Sequence, residues 1–239
     1  MILHTEVTGK GEAFVFLHTG LQTGITELNV QKEYFKQNYQ VILPDLRGHG
    51  KSTSNDLTNY FQDCARDLLE TLETLGIQSA HFAGCSLGAL VALVFAKNHP
   101  EKVRILTLSG IIPEKPTDWE EINKEDAENI AKMLENPETA AYFDDIHEGD
   151  WRELLRSTQD VDWYPFDETA DLSVLNMPVL FLVGEQNADE TIGTITYPKM
   201  NRNIHVSIIP FAGHVVHLEQ PEIYNKIVEG FLLKTESLV

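Results

Sequence analysis

Short apolar runs alternate along the chain with longer segments in which apolar residues recur every three or four positions. The short runs are almost continuously apolar, which is typical of parallel strands covered on both faces. Strand and helix in regular succession predict a parallel sheet with helices packed against it. The predicted strands cover 13–17, 40–43, 79–83, 103–108, 179–183 and 204–209, and an edge hairpin is predicted at 2–7.

Helical spacing is clearest between residues 61 and 75. Apolar residues there fall three and four positions apart, and Gly76 follows as a stop signal. The same reasoning predicts helices at 25–36, 87–98 and 222–233. Together with the strands, these segments predict an α/β fold.

Residues 111–167 interrupt the alternation of strands and helices. Helix-like polar segments occur around 119–134 and 151–155, without a convincing strand. Because the chain shows no repeat and no proline-rich linker, we expect a single domain of residues 1–239 with 111–167 as an inserted helical lid. The lid's apolar residues either line a pocket or pack the lid onto the sheet. They include Trp119, Ile130, Met133, Leu134, Tyr142, Phe143, Trp151, Leu154, Leu155, Trp163, Tyr164 and Phe166.

The charge of the chain changes this picture, since 18 basic and 37 acidic residues give a net charge of −19. Such a charge repels phosphate backbones and anionic membrane surfaces, so we expect neither a nucleic-acid nor a membrane partner. Residues 111–167 hold 17 acidic and 5 basic residues, a net of −12, which leaves −7 for the other 182 residues. The charge on the lid either filters what reaches a site beneath it or keeps an exposed lid in solution.

Only two cysteines occur, Cys64 and Cys85, and they lie in separate segments. A disulfide framework is therefore not expected, and reduced thiols packed in the core are. The first residues contain no basic stretch leading into a long apolar run, and no run of 18 apolar residues occurs. We expect a cytoplasmic protein that does not span a membrane.

A candidate nucleophile follows the predicted strand 79–83. The chain runs into Gly84-Cys85-Ser86-Leu87-Gly88 and then into a helical run of small residues. This is the GxSxG pattern in the strand, turn and helix setting that it requires. The glycines permit a tight turn, and the amides at the helix N-terminus favour developing negative charge. A glycine-rich turn with a capping serine is the competing interpretation.

A candidate oxyanion hole lies upstream, where an earlier strand ends in His18-Thr19-Gly20-Leu21. A loop in this position offers a backbone N–H to an oxyanion. Gly20 is the first candidate, with Thr19 and Leu21 behind it, and the amide of Leu87 is the expected second donor. His18 is expected to support the loop rather than to take part in chemistry.

A candidate general base, His214, follows the predicted strand 204–209 in a short loop. The order of serine before histidine is the one that this arrangement requires. His217 completes a His-x-x-His pair, which without further carboxylate or cysteine ligands is a weak zinc pattern. We expect His217 to pack or to hydrogen-bond, and we expect no metal and no cofactor.

In combination, these motifs resemble the α/β-hydrolase family, in particular its small esterase-like members with a helical lid. The segment GCSLG at 84–88 resembles the nucleophile elbow, and HTG at 18–20 resembles the oxyanion loop, with threonine where glycine is more usual. DLRGHGKS at 45–52 resembles a turn after a family strand, and GHVVHLEQP at 213–221 resembles the histidine loop. The resemblance implies the α/β-hydrolase fold: a mostly parallel central sheet flanked by helices, with a lid insertion.

The third member of the triad departs from the family pattern. The family usually presents an aspartate three residues after the glycine that ends the strand, here Gly184, and that position holds Asn187. An amide cannot stabilise an imidazolium by charge, and it can enforce the wrong tautomer. Asp189 could serve through a shifted loop, Asn187 could belong to a slow or specialised enzyme, or Asn187 could be an engineered change from aspartate. We expect Asn187 to face His214, with Asp189 as the alternative acid.

The expected reaction is acyl transfer to water through a covalent intermediate on Ser86, on a small neutral or apolar ester, thioester or lactone. An aspartate-nucleophile enzyme is disfavoured because the elbow carries Ser86. The segment 48–52 resembles the end of a phosphate-binding loop, but Asp45 stands where that pattern needs glycine. A catalytically weak ligand receptor or regulatory protein is the alternative function, because Asn187 could mark weakened catalysis.

Overall fold

The computed structural model describes residues 1–236 and contains a seven-stranded sheet in the order β1-β3-β2-β4-β5-β6-β7. Only β1 is antiparallel to its neighbour. The six strands predicted between residues 13 and 209 are confirmed, each end to within two residues. The strands are β1 Thr5–Gly9, β2 Glu12–Leu17, β3 Tyr39–Pro44, β4 Ala80–Cys85, β5 Val103–Ser109, β6 Val179–Gly184 and β7 Ile204–Ile209.

The edge hairpin predicted at 2–7 is wrong, because β1 pairs with β3 and not with β2. Gly9, the last residue of β1, and Gly11 in the turn that follows permit the crossing. Gly9 and Gly11 have φ of +83° and +118°, and a β-carbon on them would lie 2.3 Å from the Tyr39 carbonyl oxygen and 2.4 Å from that of Asn38. The turn therefore passes against the start of β3, and β1 lies along the outer edge of that strand.

The predicted helices are present and flank the sheet, with one break and several additions. The predicted helix 25–36 is broken at Leu28, whose φ of −98° and ψ of 18° are not helical. Helices at 137–146, 166–169, 188–191, 193–200 and 216–219 were not predicted. The helices are α1 Gly24–Glu27, α2 Asn29–Phe35, α3 Tyr60–Thr74, α4 Leu87–Asn98, α5 Trp119–Glu135, α6 Pro137–Ile146, α7 Trp151–Ser157, α8 Phe166–Thr169, α9 Ala188–Thr191, α10 Gly193–Met200, α11 Val216–Glu219 and α12 Pro221–Glu236.

The core has a layer on each face of the sheet. On one face α3 and α4 pack against the strands, and ten of the twelve residues of α4 are buried. On the other face α2 and α12 pack around Phe35 and Val228. Burial on both faces explains why the parallel strands are continuously apolar. Within residues 1–236, no helix combines the length and the apolarity that a membrane span needs.

The segment 111–167 contains α5, α6, α7 and the start of α8, and no strand within it. A small apolar cluster of Phe143, Trp151 and Leu155 joins α6 to α7. Leu21, from the loop after β2, packs against the same cluster. The segment is thereby attached to the sheet at the point where β2 ends.

Candidate active site

Ser86 occupies the turn between β4 and α4. Its backbone has φ of 53° and ψ of −122°, and such a left-handed position costs a residue other than glycine about 1–3 kcal/mol. The turn is held by backbone hydrogen bonds, since the Ser86 N–H donates to the Ser109 carbonyl oxygen at 2.9 Å and the Ser86 carbonyl accepts from Ala89 and Leu90. The serine is therefore presented at the carboxyl end of the sheet, beside the N-terminus of α4.

The glycines on either side of the serine are required by close packing of backbones. A β-carbon on Gly84 would lie 2.4 Å from the Gly88 carbonyl oxygen, and a β-carbon on Gly88 would lie 2.2 Å from that of Leu17. Neither contact is possible for a real side chain. The GxSxG spacing thus follows from how tightly α4 crosses back over β2 and β4.

A cavity of about 470 Å³ opens above this turn and brings together every site residue predicted from the sequence. This volume falls in the range of about 300–1,000 Å³ that is usual for small-molecule sites. The predicted residues that line it are Gly20, Ser86, Leu87, Asn187, Asp189 and His214. Its apolar wall consists of Leu21, Leu90, Ile112, Pro116, Trp119, Ile122, Leu154, Leu155, Trp163 and Tyr164.

His214 lies beside the serine turn. Gly110, with φ of +67°, packs between them, because a β-carbon there would be 2.8 Å from Ser86 N and 3.1 Å from His214 Cε1. The Cys85 thiol donates to the His214 carbonyl oxygen at 3.4 Å. No hydrogen bond joins the Ser86 hydroxyl to His214 in residues 1–236, and such bonds often form only when substrate is present.

The residue that faces His214 is Glu190. His214 Nδ1 donates to Glu190 Oε1 at 2.6 Å, and the glutamate side chain is only 2% exposed. The prediction that Asn187 faces the histidine is wrong, and within residues 1–236 Asp189 makes no hydrogen bond or ion pair with it either. The physical reason is the short helix α9, which begins at residue 188 and turns the side chain of its third residue back toward the ring.

Asn187 acts on Glu190 rather than on the histidine. It is the N-cap of α9: its Oδ1 accepts from the Glu190 N–H at 3.3 Å, and its Nδ2 donates to Glu190 Oε1 at 2.6 Å. An asparagine followed three positions later by glutamate is a helix-start pattern. That pattern was present in the sequence and indicates that a helix begins here, which is what positions Glu190.

The charge of Glu190 acts directly on His214, the candidate base. Burial by itself lowers the pKa of His214, but the hydrogen bond to Glu190 and the charge of that carboxylate outweigh it, so the pKa of His214 is raised. The neighbouring thiol is inert by comparison, since burial raises the pKa of Cys85 far above neutrality. The serine is thus the nucleophile candidate that has a base beside it.

Of the three amides proposed for the oxyanion loop, two are already used. The Thr19 N–H donates to Glu27 Oε2 at 2.8 Å, and the Leu21 N–H donates to His49 Nε2 at 3.1 Å. Within the described part of the chain, the N–H of Gly20 and that of Leu87 have no hydrogen-bond acceptor. Both residues line the cavity. Gly20 therefore remains the candidate donor.

A buried glutamate that the sequence analysis did not single out supports this loop. Glu27 accepts from the Thr19 hydroxyl at 2.9 Å, and its Oε1 lies 2.7 Å from His217 Nε2. Burial raises the pKa of Glu27, but the hydrogen bond and charge of His217 outweigh it, so the pKa is lowered. His217 accordingly hydrogen-bonds, as its expected role required. A glycine at position 19 could not make the hydrogen bond that the Thr19 hydroxyl makes to this carboxylate.

His18 and the segment 48–52 make internal contacts. His18 Nδ1 donates to the Thr19 carbonyl, and His18 Nε2 accepts from the Leu46 N–H at 2.9 Å. The turn after β3 is closed by Asp45, whose Oδ2 accepts from the Lys51 N–H at 3.1 Å. Both features brace the loops around the cavity.

A sequence model of the α/β hydrolase fold matches residues 12–156. The chain is 24% identical, over 82% of its length and 80% of the relative's, to 3-oxoadipate enol-lactonase 1 of Acinetobacter baylyi. It is 25% identical, over 95% of its length and 92% of the relative's, to (E)-2-((N-methylformamido)methylene)succinate hydrolase of the same species. The crystal structure of NosK from Streptomyces actuosus is similar with a TM-score of 0.84 at 25% identity, covering 95% of this chain and 100% of NosK. The fold, the elbow and these matches together place the chain in the α/β-hydrolase family.

Proposed function

We propose that the protein is a serine hydrolase that cleaves an ester, thioester or lactone of a small neutral or apolar compound. One observation carries the proposal: a strained serine turn and a histidine held by a buried carboxylate line the same cavity. The hydrolases among its relatives support the reaction class.

The reaction would proceed in two halves. Ser86 Oγ attacks the carbonyl carbon as its proton passes to His214 Nε2, and the Gly20 and Leu87 amides bind the oxyanion. The bond to the leaving oxygen or sulfur then breaks, and His214 gives that atom the proton. Water attacks the acyl group on Ser86 and loses a proton to His214. The bond from the acyl carbon to Ser86 Oγ then breaks, Oγ takes the proton back from His214, and the acid is released.

Glu190 would keep His214 in the tautomer that presents a bare Nε2 to the serine. Its carboxylate also stabilises the imidazolium that forms in each half of the reaction. Asn187 would act through Glu190, by orienting the carboxylate with its Nδ2. The alternative function, a weak receptor, was considered because position 187 carries an amide and not a carboxylate. The Glu190 carboxylate beside His214 supports the hydrolase instead.

The chemistry of the cavity supports a neutral substrate. Among residues 1–236, no lysine or arginine lines it, whereas Asp126, Asp189 and Glu190 do. The two Acinetobacter enzymes are named for derivatives of oxoadipate and succinate. Carboxylate groups are usually bound by arginine or lysine, so we propose that this chain takes a different class of substrate. Segment 111–167, which contributes Trp119 and Leu154 to the wall, would act as the lid.

Covalent labelling tests the proposed nucleophile. We expect a fluorophosphonate to add one phosphonyl group to Ser86 with loss of fluoride, as seen by intact-mass and peptide analysis. An aryl ester should give a burst of the released phenol as acyl-Ser86 forms. A panel of esters should favour neutral acyl groups over anionic ones. No adduct and no turnover with any ester would contradict the proposal.

The pH dependence of the reaction follows from the raised pKa of His214. The base must be neutral to accept the serine proton, so kcat/KM is expected to rise with pH through that pKa. Its midpoint should lie above the ordinary histidine value of about 6.5. A pH profile of kcat/KM on a neutral ester measures this, and a midpoint below the ordinary value would contradict the role of the Glu190 charge.

A further inference from the structure

The C-terminal end of α6 is fastened to the oxyanion loop. His147, which follows α6, is 5% exposed, and its Nε2 donates to the Leu21 carbonyl oxygen at 3.0 Å. On the same helix, the Tyr142 hydroxyl donates to Gln22 Oε1 at 3.2 Å. Two side chains from segment 111–167 therefore hold consecutive residues of the loop that carries Gly20.

The other side of the His147 ring is fastened to the turn after β3. The Gly50 N–H donates to His147 Nδ1 at 2.8 Å, and the Glu148 N–H donates to the Gly50 carbonyl at 2.9 Å. Because Nδ1 accepts a hydrogen bond, the proton of the neutral ring lies on Nε2, where it reaches Leu21. Burial lowers the pKa of His147, which favours this neutral form.

Both the backbone N–H and the backbone carbonyl of Leu21 are hydrogen-bonded, and the residue has a conformation that leucine seldom adopts. Its φ is +60°, its N–H donates to His49 Nε2, and its carbonyl accepts from His147. Its side chain packs on the cluster between α6 and α7. A left-handed residue other than glycine persists only where its surroundings determine it. The two histidines are those surroundings.

We infer that His147 is a positioning residue, which holds Leu21 in the left-handed turn that keeps the Gly20 amide free for the oxyanion. This rests on the proposed function of the cavity. Segment 111–167 is then more than a cover over the substrate, because one of its side chains sets the geometry of the oxyanion hole. Without the Leu21 bond the turn relaxes, and the Gly20 N–H loses its position.

Two substitutions separate the two hydrogen bonds of the ring. In His147→Gln the longer side chain places an amide donor near the Nε2 position, so the bond to the Leu21 carbonyl is retained. In His147→Asn the amide oxygen replaces Nδ1, so the bond from Gly50 is retained and the bond to Leu21 is lost. Asp144→Ala is the matched control, because Asp144 lies on α6 and contacts Trp151 and Arg152 but not the oxyanion loop.

The expected result is a fall in kcat of about 10²-fold in His147→Asn with little change in KM, since a misplacement of about 1 Å costs that much. His147→Gln and Asp144→Ala should keep most of the activity. Hydrogen exchange of the amides at residues 19–22 should become faster in His147→Asn only. Equal kcat and equal exchange in the asparagine and glutamine variants, or an equal loss in Asp144→Ala, would overturn the inference.

The exchange measurement needs no turnover, which keeps the two proposals distinguishable. If the unaltered protein forms no adduct at Ser86, the proposed hydrolase activity fails. Faster amide exchange at residues 19–22 in His147→Asn alone would then still support the role of His147 in positioning Leu21. Equal exchange rates in all the variants would overturn it. Thermal unfolding of each variant shows whether a loss of activity reflects loss of the fold.

Discussion

Replacing Ser86 by alanine is expected to lower kcat by about 10⁴- to 10⁶-fold and to abolish labelling by a fluorophosphonate. The substitution removes only the side-chain hydroxyl, and the proposed covalent intermediate cannot form without it. Residual hydrolysis would come from the oxyanion amides and from binding in the cavity, which act without a nucleophile. Initial rates on an aryl ester, with intact mass after labelling, measure both effects.

The fold should survive this change. The turn at Ser86 is held by its backbone N–H and carbonyl, and the hydroxyl makes no hydrogen bond within residues 1–236. The midpoint of thermal unfolding should therefore stay close to that of the unaltered protein. Ser207→Ala in β7, away from the cavity, is the matched control and should keep full activity. Turnover retained in Ser86→Ala would refute the serine mechanism.

What the sequence revealed depended on how local each signal is. The strands and the Ser86 turn are encoded within a few neighbouring residues, by apolar runs and by glycines that the close backbone contacts require. His214 could be found because it follows a clear strand. Each of these predictions uses one segment of the chain at a time. The match to the α/β hydrolase family confirms the fold that they predict together.

The partners of these residues were harder to predict because they come from distant segments. Glu27 lies 190 residues from His217, and His147 lies 126 residues from Leu21. No periodicity links such pairs before the chain folds. Glu190 is a different case, since the helix that positions it begins with a local signal, the N-cap at Asn187, which the sequence analysis did not use.

The negative charge of the chain also has a clearer meaning once the cavity is known. Most of the excess lies on 111–167, and Asp126 from that segment lines the cavity together with Asp189 and Glu190. Burial and the neighbouring Glu125 raise the pKa of Asp126. Among residues 1–236, three carboxyl side chains and no lysine or arginine line the cavity, which supports the charge as a filter against anionic substrates.

Replacing Glu190 by glutamine is expected to lower kcat by about 10⁴-fold, the loss seen for the equivalent change in a serine protease. That factor corresponds to about 5.4 kcal/mol in the barrier. The new amide removes the charge that stabilises the imidazolium, and its NH₂ can turn toward Nδ1 and enforce the wrong tautomer. Because the Glu190 charge raises the pKa of His214, the midpoint of the pH profile should also move down.

The neighbouring positions supply the controls. Asp189→Asn should keep most of the activity, because within residues 1–236 His214 is hydrogen-bonded to Glu190 and not to Asp189. Asn187→Asp should lower activity rather than raise it, since it removes the Nδ2 donor and places a second carboxylate 2.6 Å from Glu190 Oε1. Rates and pH profiles of the three variants on one neutral ester show which side chain is the acid partner of His214. A gain in Asn187→Asp, or a collapse in Asp189→Asn with Glu190→Gln active, would show that the acid is not Glu190.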